Sequence, residues 1–466
     1  MSRKIFFGAV FMKNAVFFTG LLFAFCFGLA AQTLDLEQAR VLALANSRSL
    51  ASYELAIRSS ILDERNQLFS MLPQISAGYS ASMSYFRNWE FINPIDTLNL
   101  SADISITQII FQGGKNFVQR AINKIATESV RIDAHAEYFN VLDTLDNAYY
   151  AALEAAASLE AEESSLQTAV LGLSMAQIRY ESGIINLGDY LRAQADKEAR
   201  ENSRNQAARN LTLSMNRLRS LTGITAPVQL EQINFDMYEN LLQRLAGISD
   251  EQAGVLYDQF RVLLTAANPS LARAVLNNRR AELNLSSAVR DYAPTISATI
   301  FATGLNYSPR GTGSSGVQLA NGLSTTSSAG ISIRGSIPVD FWVLSNRVER
   351  NRIARDTTLL SYANTENSLE QELQSSLFNL FTQAGSVLSS RRSLEYTQRH
   401  FEYVFERYRL LQSSVSELNE ASGLLINSRN SLNRASYSFL RSLSGLRSLC
   451  ALDDEDHLIG LLLGVN

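Results

Sequence analysis

Residues with obvious chemical potential are few and scattered in this 466-residue chain. His135, His400 and His457 stand alone, with no second histidine or cysteine pair at metal-ligand spacing. Gly311-Thr312-Gly313-Ser314-Ser315-Gly316 resembles a phosphate loop, but no lysine follows and no helix opens there, so a flexible loop is expected. An enzyme, a metal site and a cofactor are therefore not expected. The polar interest lies in Glu417 and Glu420, three apart at a helix start and so on one face. Asp189 holds the place equivalent to Glu417 in an earlier segment. A threefold assembly would converge these acids on one axis, a ring that attracts cations and repels anions. Charge complementarity at a helix N-terminus accounts for them equally well.

The elements that position these acids occur twice. Leu72-Pro73-Gln74-Ile75-Ser76-Ala77 recurs as Ala293-Pro294-Thr295-Ile296-Ser297-Ala298, and Arg179-Tyr180 through Asp189 recurs as Arg407-Tyr408 through Glu417. Duplication on this scale predicts equivalent parts of one wall. In each copy, a helix gives way to two segments of period two. Ile75, Ala77, Tyr79, Ala81 and Met83 alternate with small polar residues, as do Leu98, Leu100, Ala102, Ile104 and Ile106. Ile296, Ala298, Ile300 and Ala302, then Ala329, Ile331 and Ile333, repeat the pattern, with Arg334 on the polar side. Four strands of about ten residues match the length that a tilted strand needs to cross a bilayer. Four cannot close a barrel, so strands from several copies would complete it. Trp89, Phe111 and Trp342 sit at strand ends, where interfacial aromatics belong.

None of the seven prolines falls between Pro94 and Pro227 or after Pro338. From Lys115 to Ser182 an uninterrupted helix would reach roughly 100 Å. Leu142, Leu145, Tyr149, Ala152, Ala156, Leu159, Leu166, Val170 and Leu173 form a heptad seam along it. Leu373, Leu377, Leu380, Ala384, Val387, Leu394, Phe401, Phe405 and Tyr408 repeat the spacing. Each rod ends at a turn, and a second helix returns antiparallel.

The N-terminus carries Arg3, Lys4 and Lys13, an apolar run and small residues before Ala31, which reads as a secretory signal. Met12 offers a second start. Cys26 is a candidate for lipidation, set against the bulky Phe25 before it. Cleavage moves the net charge from −4 to about −7, which leaves no basic footprint for nucleic acid. Cys450 is then the sole cysteine, so no intrachain disulfide is expected. The expected organisation is a signal at 1–31, helices at 32–73, a first β-hairpin at 74–111 and a first helical hairpin at 112–223. A linker or belt at 224–267 separates these from a helix at 268–294, a second β-hairpin at 295–339, a second helical hairpin at 340–449 and a tail at 450–466.

In order, spacing and duplication the chain resembles the TolC-like outer membrane efflux family. The resemblance rests on the Leu-Pro-Gln-Ile-Ser stop, Ile106-Thr107-Gln108-Ile109-Ile110-Phe111 with Gly113-Gly114, Tyr138-Phe139-Asn140-Val141-Leu142, and Arg179-Tyr180 through Gly183 to Asp189. It implies a mainly α fold with membrane β: a homotrimer whose twelve strands form an outer-membrane barrel, continued by an α-helical barrel through the periplasm. It also implies a passive conduit for tripartite efflux or type I secretion, working with a periplasmic adaptor (membrane fusion protein) and an inner-membrane transporter, and embedded in outer membrane lipid. By resemblance, Asp189, Glu417, Glu420 and Tyr408 belong to the periplasmic tip constriction, and Gly183, Gly188, Leu411 and Ser414 to adaptor-contacting turns. Leu411 stands where glycine is usual, and Ser413 where a basic residue can occur. Asp189 and Tyr408 are expected to hydrogen-bond between adjacent hairpins and hold the tip closed. The alternative is a periplasmic structural or chaperone-like coiled-coil protein, which has no need of four membrane-length strands.

Overall fold

The computed structural model describes residues 33–86, 95–307 and 326–464. The expected signal with Met12 and Cys26, the Trp89 position and the 311–316 loop lie outside the described residues.

Helical spacing from Leu34 to Leu72 resolves into β1 (Thr33–Leu34), α1 (Leu36–Asn46) and α2 (Arg48–Phe69). The break falls at Ser47, whose extended backbone and side-chain oxygen cap α2 by accepting from Leu50 N at 3.3 Å. A serine offers this local alternative to continued helix, which hydrophobic periodicity alone does not register. The helix stops at Ser70, ahead of Pro73.

Strands β2 (Gln74–Phe86) and β3 (Ile95–Gln112) form the first hairpin. The rod α3 (Lys115–Glu181) runs 67 residues without a break, and α4 (Leu187–Thr222) returns from it. Between 224 and 267 lie β4 (Gln229–Leu230), a short 3-10 turn, α5 (Glu239–Ala246) and α6 (Asp250–Ala267), the last opened by a Ser249/Gln252 capping box. Then α7 (Pro269–Arg290), β5 (Thr295–Tyr307), β6 (Thr326–Ser336), α8 (Phe341–Arg409) and α9 (Val415–Leu449) repeat the first succession, and α10 (Glu455–Leu463) closes the described chain.

The chain divides into two compact units. One gathers the described residues up to Asn46 with Leu145–Glu239 and Arg392–Tyr437. Here β1 pairs in parallel with β4, and the Tyr149 hydroxyl donates to Leu34 O at 2.9 Å. Arg40 is buried and meets both oxygens of the fully buried Asp146 at 2.9 and 2.8 Å, a bidentate pair that fixes α1 on α3. The other unit takes Ser47–Thr144, Asn240–Arg391 and the chain from Ser438 onward. It contains the four-stranded sheet, in the order β2-β3-β5-β6, together with the buried Phe139, Phe260, Leu373, Leu377 and Phe439.

The heptad reading holds for part of each rod. Leu142, Leu145, Tyr149 and Ala152 are buried on α3, as are Leu373, Leu377, Leu380, Ala384 and Val387 on α8. Beyond Leu159 it loosens, with Leu166 and Leu173 only partly buried. Val170 is exposed, and the buried stripe passes through Ala161, Ser165, Ala169, Ala176 and Arg179 instead. A straight helix drifts off a strict 3.5-residue repeat, so a seam read as heptads walks around the rod, and small residues mark its new line.

Candidate functional site

Two regions carry the polar residues singled out by sequence: the turns that close the helical hairpins and the faces of the sheet.

The first turn is built by a left-handed residue. Gly183 has φ +73°, Gly183 N donates to Tyr180 O at 3.0 Å, and Ile184 N donates to Arg179 O at 2.8 Å. The second turn repeats this geometry. Leu411 has φ +64°, Leu411 N donates to Tyr408 O at 3.2 Å, and Gln412 N donates to Arg407 O at 2.8 Å. Both are Schellman closures, and the second sets a branched residue where glycine would be unstrained. The same substitution recurs where the returning helices end, with Gly223 at φ +75° in the first copy and Ala451 at φ +51° in the second.

The returning helices begin alike. Asn186 caps α4, its Oδ1 accepting from Asp189 N at 2.9 Å, and its amide donates to the Asp189 carboxylate at 3.1 Å. Ser414 caps α9, accepting from Glu417 N at 3.2 Å, while the Ser413 hydroxyl donates to Glu417 at 2.6 Å. Asp189 and Glu417 are thus equivalent third residues of their helices, engaged in local capping. Arg407 lies 4.0 Å from Glu417 and donates to Gln412 O at 2.7 Å. Glu420 is exposed and accepts no hydrogen bond among the described residues, so of these acids it alone is uncommitted. Gly188 is exposed beside the Asn186 cap, and Ser414 is exposed at its turn.

Asp189 and Tyr408 do not pair. The Tyr408 hydroxyl donates to Gly172 O at 3.5 Å, and the Asp189 carboxylate is held by Asn186. What grips Tyr408 is Arg179, whose guanidinium sits 3.9 Å from the ring centroid and donates to Tyr408 O. Tyr408 is wholly buried in a cluster with Ala176, Ala193, Val415 and Leu418, while Asp189 is engaged in the cap of its own helix. Burial pushes the Tyr408 phenol up, Arg179 opposes that shift, and nearby Asp189 adds to it. In the sequence Arg179 stands out only as the first residue of the repeated Arg-Tyr pair. The available signal was its place three residues beyond Ala176, on the stripe of small buried residues.

Two turns further along α4, Asp196 lies 3.4 Å from Arg200 beside a small cavity also lined by Thr168, Asn419 and Ser422. Burial raises the Asp196 carboxyl above its ordinary value, with Arg200 opposing.

The sheet has two unlike faces. Its register places Ile75, Ile106, Ile300 and Ile331 in one cross-strand row, and Ala77, Ile104, Ala302 and Ala329 in the next. Ile75 and Ile331 are each 74% exposed, so nothing among the described residues covers that side. The opposite face carries Gln74, Thr107, Thr299 and Ser332 in one row and Gly78, Asp103, Thr303 and Ser328 in another. Hydroxyls pair across it: Ser76 with Ser105 at 2.8 Å, Ser80 with Ser101 at 2.7 Å, and Thr107 with Thr299 at 3.1 Å. A register shift between Ile109 and Phe111 brings Phe111 opposite Ile296, back onto the apolar face. Phe111 and Trp342 are exposed, and Phe341 stacks on Tyr292 with centroids 6.4 Å apart. Strands β2 and β6 are unpaired on their outer edges among the described residues.

Among the described residues no group of histidine, cysteine and acidic side chains could hold a metal ion, and no helix is long and apolar enough to cross a membrane. Residues 39–224 and 262–451 match the sequence profile of a family described as Outer membrane efflux protein. The chain is 22% identical over 428 residues to Outer membrane protein TolC of Escherichia coli K12, a match covering 87% of this chain and 80% of that protein. A crystal structure of CusC superposes with a TM-score of 0.72 at 16% identity, covering 91% of this chain and 95% of that one. The Campylobacter jejuni CmeC outer membrane channel gives 0.68 at 17% identity, covering 92% and 89%. The open state of the Neisseria gonorrhoeae MtrE outer membrane channel gives 0.63 at 16%, covering 89% and 88%.

Proposed function

The chain belongs to the outer membrane efflux protein family and is an outer membrane channel, and from that premise we propose that three copies assemble into one passive conduit between a periplasmic transport complex and the exterior. The observation that carries this reading is the sheet. Among the described residues its apolar face is uncovered, its polar face is laced by hydroxyl pairs, and both of its edges are open. A lipid-facing sheet keeps no open edges, so three four-stranded sheets closing edge to edge satisfy β2 and β6 together. The apolar rows then face lipid and the serine and threonine rows line water.

The two capped helical turns form the periplasmic end of the conduit. Gly183, Gly188, Leu411 and Ser414 present the surface on which a periplasmic adaptor docks, and an inner-membrane transporter supplies energy and cargo for tripartite efflux or type I secretion. Glu417 and Glu420 of each copy converge on the axis and give the entrance a preference for cations, with Asp189 on the neighbouring turn. Glu420 contributes most to that preference because no partner among the described residues neutralises it. A periplasmic coiled-coil protein without a channel would leave the uncovered apolar face of the sheet unexplained.

The test is to purify the full chain from outer membranes in detergent, measure its mass, and record conductance in planar bilayers. A trimer with discrete channels whose cation preference falls in Glu420→Gln, more than in Glu417→Gln, supports the conduit. A buffer-soluble species without conductance overturns it.

A further inference from the structure

Where the strands give way to helices, large apolar side chains stand in solvent. Phe117 is 72% exposed, Trp342 70%, Val339 70% and Ile337 64%. Ile337 and Val339 prolong the period-two apolar positions of β6 towards α8, and Phe117 and Trp342 lie in the first turns of α3 and α8. Just beyond them the charge is positive, although the chain as a whole carries −4. Lys115 and Arg347 share a single carboxylate, Asp291, at 2.5 and 2.8 Å, so one acid answers two cations. Arg120 and Arg350 are exposed and pair with no acid among the described residues. Phe117 and Arg120 are three apart, and Trp342 and Arg350 eight apart, so each aromatic shares a helix face with an uncommitted arginine one or two turns further along. The acids nearby do not cancel this. Glu349 is engaged by Arg352 at 2.8 Å, Asp63 and Glu64 on α2 are partly offset by Arg65, and Asp340 at the start of α8, which has no ion-pair partner among the described residues, is outnumbered by Arg120 and Arg350.

An aromatic row with a cationic row one turn beyond it matches a phospholipid monolayer, in which acyl chains end and phosphates begin over a similar distance. We propose that this junction is a collar that selects anionic glycerophospholipids from the leaflet facing the helices. Arg120 and Arg350 meet the headgroup phosphate, while Phe117 and Trp342 rest at the glycerol level. The inference rests on the membrane reading of the sheet and names the lipid class that the reading leaves open. The occupant is lipid because the exposed collar adjoins the apolar rows of the sheet, and it is anionic because the unpaired cations Arg120 and Arg350 outnumber the unpaired Asp340.

Trp342 supplies the probe. With Trp89→Phe it becomes the sole tryptophan, and the full chain can be reconstituted in vesicles of brominated phosphatidylcholine with increasing brominated phosphatidylglycerol. The expected result is stronger quenching by phosphatidylglycerol, with a relative binding constant of about fivefold. That preference should collapse toward unity in the R120Q/R350Q double variant and in high salt. Equal quenching by the two lipids overturns the proposal. Quenching by neither overturns it too, since the collar would then lie under a second copy or outside the bilayer. If the double variant does not fold, the salt dependence of the parent decides. Conductance of the same vesicles separates the two readings: a conducting protein with no lipid preference sinks the collar alone, and a lipid-selective protein that never conducts sinks the conduit alone.

Discussion

Leu411 holds a left-handed backbone that an L side chain adopts at a cost of roughly 1 kcal/mol. It is 58% exposed, so packing among the described residues offsets little of that cost. Leu411→Gly should therefore raise the midpoint of thermal unfolding in detergent, corresponding to about 1 kcal/mol. Gly183→Ala, in the matching position with open space around its Cβ, should lower it by a similar amount. A stabilising Gly183→Ala would show that the turns are not equivalent. Arg179 braces the strained turn from the other hairpin, because the Tyr408 carbonyl to which it donates is the one that accepts Leu411 N. Removing the guanidinium in Arg179→Met should cost about 2 kcal/mol and speed hydrogen exchange across 405–412. Tyr408→Phe should cost much less, since a 3.5 Å hydroxyl contact is at the limit of a hydrogen bond. If the ranking is reversed, the hydroxyl rather than the arginine holds the turn.

Among the elements, the strands were legible because alternation states a face directly, and the rods because proline was missing over their whole length. Less was legible where side chains choose among local options. Ser47 breaks a helix that periodicity would continue, and Ile110 falls at a register shift that returns Phe111 to the apolar face. The pairing of β3 with β5, which welds the repeats into one sheet, leaves no local trace because nearly two hundred residues separate the partners. The buried pairing of Arg179 with Tyr408 was equally hidden, since an arginine in an apolar stripe reads as an interruption until its partner is known. The faces themselves are testable. Ile300→Arg should cost about 2–4 kcal/mol at mid-membrane depth and sharply reduce outer membrane incorporation. Ser105→Arg, one residue away in register on β3 and on the hydroxyl face, should incorporate normally and change conductance instead. Equal loss of incorporation for both would mean that neither face meets water.

At the scale of the whole molecule, duplication does not mean two folding units. The unit holding the turns takes Leu145–Glu239 from the first copy and Arg392–Tyr437 from the second, and the unit holding the sheet is likewise drawn from both. Within the first, the cluster around Tyr408 joins Ala176 and Ala193 to Val415 and Leu418. Within the second, β3 would lose β5 and become an open edge if the copies were separated. Either copy alone would therefore expose both an apolar core face and unpaired backbone, and the entropy of ordering such long helices would go unopposed. Cutting the chain in the loop between Ala246 and Asp250, outside every strand and rod, gives a direct measurement. Each half expressed alone with a secretory signal should be degraded, whereas co-expression should yield a protease-resistant species in outer membrane fractions. A first half that accumulates and resists protease by itself would mean that one repeat buries its own core, and the shared-unit architecture would no longer explain why both copies are retained in one chain.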